Sequence, residues 1–118
     1  MTEQPWPVEL RLDAEKKTLK IAFENGESFA LAAEYLRVES PSAEVQGHSP
    51  TQKQTVPGKH AVKILDLEPV GNYAVRIRFD DGHDTGLFSW EYLRELGLEH
   101  DKRWKAYLGA LKGRGLSR

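Results

Sequence analysis

The chain has 118 residues, a formal charge of -1 from 17 Lys and Arg against 18 Asp and Glu, and no cysteine. That length holds one core rather than two, and the balanced charge offers no field to draw in nucleic acid or an anionic membrane. The missing thiols exclude disulfides, cysteine nucleophiles and Cys-ligated iron–sulfur clusters within the chain.

The opening MTEQPWPVEL has neither a basic start nor an apolar run, so neither signal peptide nor membrane span is expected, and the expected location is the cytoplasm. Trp6, between Pro5 and Pro7, is either the anchor of an edge strand or an exposed partner contact, and burial of an indole favours the anchor. Val8, Leu10 and Leu12, then Leu19, Ile21 and Phe23, alternate with polar residues and predict two half-buried strands. Asn25-Gly26 predicts a two-residue hairpin turn into a short strand over 28–31 and a helical turn over 32–37. Residues 39–60, with three prolines, two glycines and no aromatic residue, read as a long loop, a length that is either functional or mobile. An extended segment from Val62 to Val70 turns at Gly71-Asn72 into the strand Tyr73, Val75, Ile77, Phe79. Asp81-Gly82 is a second hairpin turn; Ser89 then caps a helix stopped by Gly97, and Asp101 caps another whose apolar face is Trp104, Tyr107, Leu108 and Leu111. The tail over 113–118 is expected to fray.

Two stretches share a pattern: IAFENGESFALAAEYLR from residue 21 and IRFDDGHDTGLFSWEYLR from residue 77. Ile21, Phe23, Gly26, Leu31, Glu34, Tyr35, Leu36 and Arg37 match Ile77, Phe79, Gly82, Leu87, Glu91, Tyr92, Leu93 and Arg94, with one extra residue in the second copy. Such a repeat is a supersecondary unit used twice. The expected fold is α+β, a single domain over 1–118 with its core at about 8–97 and a C-terminal helix at about 101–112. It is a mainly antiparallel sheet with helices packed on one side, built from two strand-turn-strand-helix units.

Chemistry concentrates in DDGHDTG, where Asp80, Asp81 and Asp84 flank His83. Either the acids cap a turn while His83 bonds a neighbouring strand, or the imidazole, its charge favoured or its tautomer fixed by a carboxylate, is a metal or ligand site. The first copy has Glu27 where the second has His83, so the turn itself does not demand histidine. The metal candidates are His83, His48, Asp84 and Glu44, holding one iron or zinc ion if the loop folds back over the second repeat. No His begins an H-x-D or H-x-E pair, and there is no phosphate loop, nucleophile elbow or H-E-x-x-H, so no catalytic constellation is complete.

LRVESPSAEVQGH and LEPVGNYAVRIRFDDGHDTGLFSWEYL resemble the N-terminal domain of gamma-butyrobetaine hydroxylase and trimethyllysine hydroxylase, over about Val8 to Gly97. The resemblance implies a short bacterial protein made of that domain alone. It also implies a zinc module with a C-x-C-x-x-C cluster and the histidine of a D-G-H-like motif. Here the cysteine positions fall on Ser40, Ser42 and Val45, while His83 keeps the histidine. The hydroxylases' iron and 2-oxoglutarate jelly roll has no counterpart in this length. Similar domains accompany P-loop iron–sulfur carriers, which suggests, by fold-level analogy, a place near iron traffic. The expected function is therefore a non-catalytic accessory or binding module using residues 39–60 and the surface around His83. Its expected partner is another protein rather than nucleic acid or membrane. A metal-binding protein is the alternative, and an oligomeric subunit joined through Trp6 or a sheet edge is a third reading, with oligomeric state left open.

Overall fold

The computed structural model describes residues 5–46 and 55–118; of Ala43 and Glu44 only the backbone is described. Strands β1 (Pro7–Leu12), β2 (Thr18–Phe23) and β3 (Ser28–Ala32) form one antiparallel sheet, and β4 (Ile64–Val70), β5 (Ala74–Phe79) and β6 (Leu87–Ser89) a second, each in sequence order. Helices α1 (Ala33–Val38) and α2 (Ala43–Gln46) follow the first sheet, α3 (Trp90–Leu98) and α4 (His100–Gly113) the second. The α+β class and the repeated unit are as the sequence predicts; the sheet is divided in two, one per repeat. Among the described residues no helix is long and apolar enough to cross a membrane.

Alternation along β2 and β5 turns Leu19, Ile21 and Phe23, and Val75, Ile77 and Phe79, into one core with Tyr35, Leu36, Phe88, Leu93 and Leu96. Bulges between Pro7 and Glu9 and between Ile64 and Asp66 interrupt the edge strands β1 and β4. They throw Val8 and Leu65 into solvent, 66% and 53% exposed, and bend edges that would otherwise invite pairing.

The two hairpin turns are alike in detail. Phe23 N–H donates to Glu27 O at 2.8 Å and Phe79 N–H to His83 O at 2.9 Å. Glu27 N–H meets the Asn25 Oδ1 at 3.0 Å and His83 N–H the Asp81 Oδ1 at 3.1 Å. Gly26 and Gly82 take φ of 92° and 91°. The loops are therefore three residues closing on a left-handed glycine, not the two-residue turns predicted. Asn25 and Asp81 act through their side chains instead of adopting positive φ.

Clamps cross between repeats. Tyr35 Oη donates to the Leu96 carbonyl at 2.7 Å and Tyr92 Oη to the Glu39 carbonyl at 2.5 Å, each pair related by 57 positions, as 35 to 92 and 39 to 96. Arg94 Nε binds Glu27 in the first turn at 2.6 Å, and Arg37 Nε binds Asp81 in the second at 2.8 Å.

Several local expectations change. Ser89 caps α3 by accepting the Tyr92 N–H at 3.0 Å, but Gly97 lies inside that helix, where a Cβ would stand 2.5 Å from the Phe29 ring. Close packing, not a stop, explains the glycine. Helix α4 begins at His100 without a side-chain cap, and Asp101 sits in its first turn, where its charge suits the positive helix end. Tyr107 and Leu111 are buried and Trp104 packs against them, while Leu108 is 39% exposed and leaves the predicted face. Where fraying is expected, Gly58 N–H donates to Ser117 O at 3.0 Å, and Arg118 reaches buried Glu34 at 2.7 Å. Trp6 is tied by its backbone, its carbonyl accepting the Glu24 N–H at 2.9 Å, yet its indole is 51% exposed rather than an anchor.

Candidate functional site

His83 closes the second turn with its imidazole turned inward, 6% exposed. Its Nε2 lies 2.9 Å from Ser40 Oγ and 3.4 Å from Ser42 Oγ. Both serines belong to the segment between α1 and α2, and both are buried, Ser40 completely. That segment is held by its own bonds. The Ser42 carbonyl accepts from Val45 and Gln46 N–H to open α2, and Gln46 Nε2 returns to the Ser40 carbonyl at 2.9 Å. The far wall is Gly86, where a Cβ would collide with Ser40 Oγ and press on the Phe88 ring. Only glycine lets that strand approach the serine so closely.

Beside the cluster, Asp81 gathers charge. Its carboxylate meets Arg37 Nε at 2.8 Å and Lys59 Nζ at 2.6 Å. Burial works to raise this acid, but the bonds from Lys59, the His83 N–H and Arg37 outweigh it and hold the group below its ordinary 3.8, at about 2. Asp81 is thus a fixed anion that anchors two cations to the turn.

The predicted residues divide accordingly. Ser40, Ser42 and His83 meet, and Val45 is buried in the adjoining α2. Asp84 is exposed. His48 and the Glu44 side chain lie outside the described residues. Among the described residues no three His, Cys, Asp or Glu side chains come together in a way that could share an ion. Two hydroxyls, an isopropyl group and one imidazole are not a zinc donor set, since the hydroxyl is a weak ligand and the isopropyl none. The Ser40 and His83 pair has the spacing of a nucleophile and base, but Ser40 offers no surface to a substrate. What the arrangement does is join the post-helix segment of one repeat to the turn of the other. One feature was not predicted, the glycine wall at Gly86, which nothing in composition announces. The imidazole meets hydroxyls within residues 39–60, the segment to which a second role of His83 as a hydrogen-bonding group would join it, rather than a neighbouring strand.

Residues 10–94 match the family described as gamma-butyrobetaine hydroxylase-like, N-terminal. The chain belongs to this family. Two NMR solution structures resemble this gamma-butyrobetaine hydroxylase-like N-terminal domain. One is 44% identical with a TM-score of 0.85, covering 98% of this chain and 91% of its own. The other is 45% identical with a TM-score of 0.83, covering 100% and 90%. A crystal structure of a protein of unknown function from Acidithiobacillus ferrooxidans, assigned to the DUF971 family, is 37% identical with a TM-score of 0.67, covering 82% of this chain and 98% of that one. No curated protein matches the chain. In this gamma-butyrobetaine hydroxylase-like N-terminal domain, the four positions expected from the resemblance thus carry a hydrogen-bonded cluster, Ser40, Ser42 and His83, and a buried valine.

Proposed function

We propose that the protein is a non-catalytic binding or accessory module, whose contacts with a partner protein run through residues 39–60 and the surface around His83. The observation that carries this reading is the 2.9 Å bond between His83 Nε2 and fully buried Ser40. An imidazole buried against the hydroxyls of the other repeat helps to hold structure, and binding is then left to the surface that the cluster shapes. Membership of the gamma-butyrobetaine hydroxylase-like N-terminal family over residues 10–94 supports it, since that match falls wholly within the two-sheet domain.

Two measurements on untagged protein purified without chelator test the reading. Elemental mass spectrometry on the protein and its His83→Ala variant is expected to find no stoichiometric iron or zinc in either. About one metal per chain that disappears in the variant would replace the proposal with the metal-binding reading, with new ligands around His83. Affinity purification from the native extract, quantified by mass spectrometry, is expected to retain a defined protein on the parent chain and less of it on the variant. Equal retention would remove the His83 surface from the contact.

A further inference from the structure

The two repeats make an internal comparison at their helix starts. In the first, Ala32, Ala33 and Glu34 open α1; in the second, Ser89, Trp90 and Glu91 open α3. Glu34 is gripped by a guanidinium, with Arg118 Nη2 at 2.7 Å and Nε at 3.0 Å from its two oxygens. The same guanidinium carbon lies 5.4 Å from the centre of the Trp104 ring. One carboxylate and one aromatic face thus hold an arginine at this position of the fold.

Glu91 is exposed and forms no ion pair among the described residues. It lines an open hollow of about 320 Å³ together with Pro5, Trp6, Tyr73, Ser89 and Trp90. Among the described residues no lysine or arginine lines it. Trp6 and Tyr73 are 51% and 55% exposed, and the Trp90 ring is fixed by its Nε1–H donating to the Asn72 carbonyl at 2.9 Å. The positions of the first repeat that match 73 and 90 are Lys17 and Ala33, so the scaffold does not require rings there. The helix start explains an acid at Glu91. It does not explain three aromatic side chains gathered around that acid.

We infer that this hollow takes an arginine side chain of a partner protein, its guanidinium paired with Glu91 and laid against the rings of Trp6, Tyr73 and Trp90. Arginine suits it better than lysine because the guanidinium is planar, weakly hydrated and able to stack while it pairs, whereas an ammonium is a strongly hydrated point charge. The contact is independent of the surface around His83 and stands or falls without it.

The test is titration of ¹⁵N-labelled protein with a capped Gly-Arg-Gly peptide, followed through the three tryptophan indole N–H signals. Peptides with citrulline or lysine in place of arginine serve as the neutral isostere and the point charge. The Trp6 and Trp90 signals are expected to move saturably with the arginine peptide while Trp104 stays still. Citrulline should produce no comparable shift, lysine a weaker one, and Glu91→Gln should weaken the arginine response by about fivefold, the scale of a partly exposed ion pair. An absent response, an equal response to citrulline or lysine, or an undiminished response in Glu91→Gln would each overturn the inference. Since the citrulline comparison uses the unmodified chain, the result does not depend on how any variant folds.

Discussion

Replacing His83 by alanine removes a buried ring and leaves the Ser40 and Ser42 hydroxyls without their shared acceptor or donor. Losing a buried hydrogen bond together with its packing should lower stability by about 2 kcal/mol, read as a lower urea midpoint, with the fold retained. Ser40→Ala should cost less. The double variant should fall short of the sum by about 1 kcal/mol, the sign of a direct contact; strict additivity would show that the two side chains do not depend on each other. Asp81 governs the acid limb. Because its folded value is depressed from 3.8 to about 2, its contribution is present above the ordinary carboxylate value and is lost as pH falls through that interval. Urea midpoints measured across this range should drop in the parent chain and drop less in Asp81→Asn; parallel curves would show that Asp81 has no part in acid stability. The sequence made His83 and its flanking acids legible because they are dense and polar. It could not show that the ring points inward, since exposure is decided by the segment that covers it.

At the level of the elements, glycines explain what the sequence signals misled. Gly97 reads as a helix stop by residue type, yet α3 continues to Leu98 and the glycine faces the Phe29 ring. Gly to Ala inside a helix ordinarily stabilises by about 0.5 to 1 kcal/mol. Here the sign should reverse. Gly97→Ala is expected to destabilise by about 1 to 3 kcal/mol through overpacking, and Phe29→Leu in the same chain should recover part of that loss. A gain in thermal midpoint for Gly97→Ala alone would show that Phe29 yields without cost. Strands β2 and β5 were legible because their alternation follows the pleat, and the two turns because glycine at 26 and 82 follows a side chain able to cap the loop. The bulges and the exposure of Trp6 were not legible. Both depend on which strand lies at an edge, a property of pairing rather than of composition.

Across the whole molecule, the repeats are fastened to each other by paired contacts and a shared core. Tyr35 and Tyr92 each bond a carbonyl in the other half, Arg37 and Arg94 each reach the other's turn, and one core is shared. Unfolding should therefore be a single transition, with tryptophan fluorescence and far-ultraviolet circular dichroism giving superimposable urea curves. Leu19→Ala in the first repeat and Val75→Ala in the second should each shift both probes together; a variant that splits them would mean that one repeat survives the other. The duplication was legible as a pattern of matched residues. Its reciprocal contacts were not, because sequence similarity shows that two units are alike without showing where they touch.

The crossed contacts give the molecule two equivalent sockets, each between the end of one repeat's helix and the strand that follows the other's turn. Leu31 pairs with Leu19 and Phe88 with Val75, so the structural counterpart of Leu31 is Phe88 rather than Leu87 and the offset of 57 already holds in β3 and β6. Position 29 then matches 86 as 40 matches 97, and Phe29 against Gly97 is the counterpart of Gly86 against Ser40. One socket is plugged by a hydrocarbon ring, and the other is left for polar groups. The tyrosine and arginine clasps lie outside both. The side chains that fill the second socket, Ser40, Ser42 and His83, are accordingly not the tyrosines that fasten the two halves of the domain to each other.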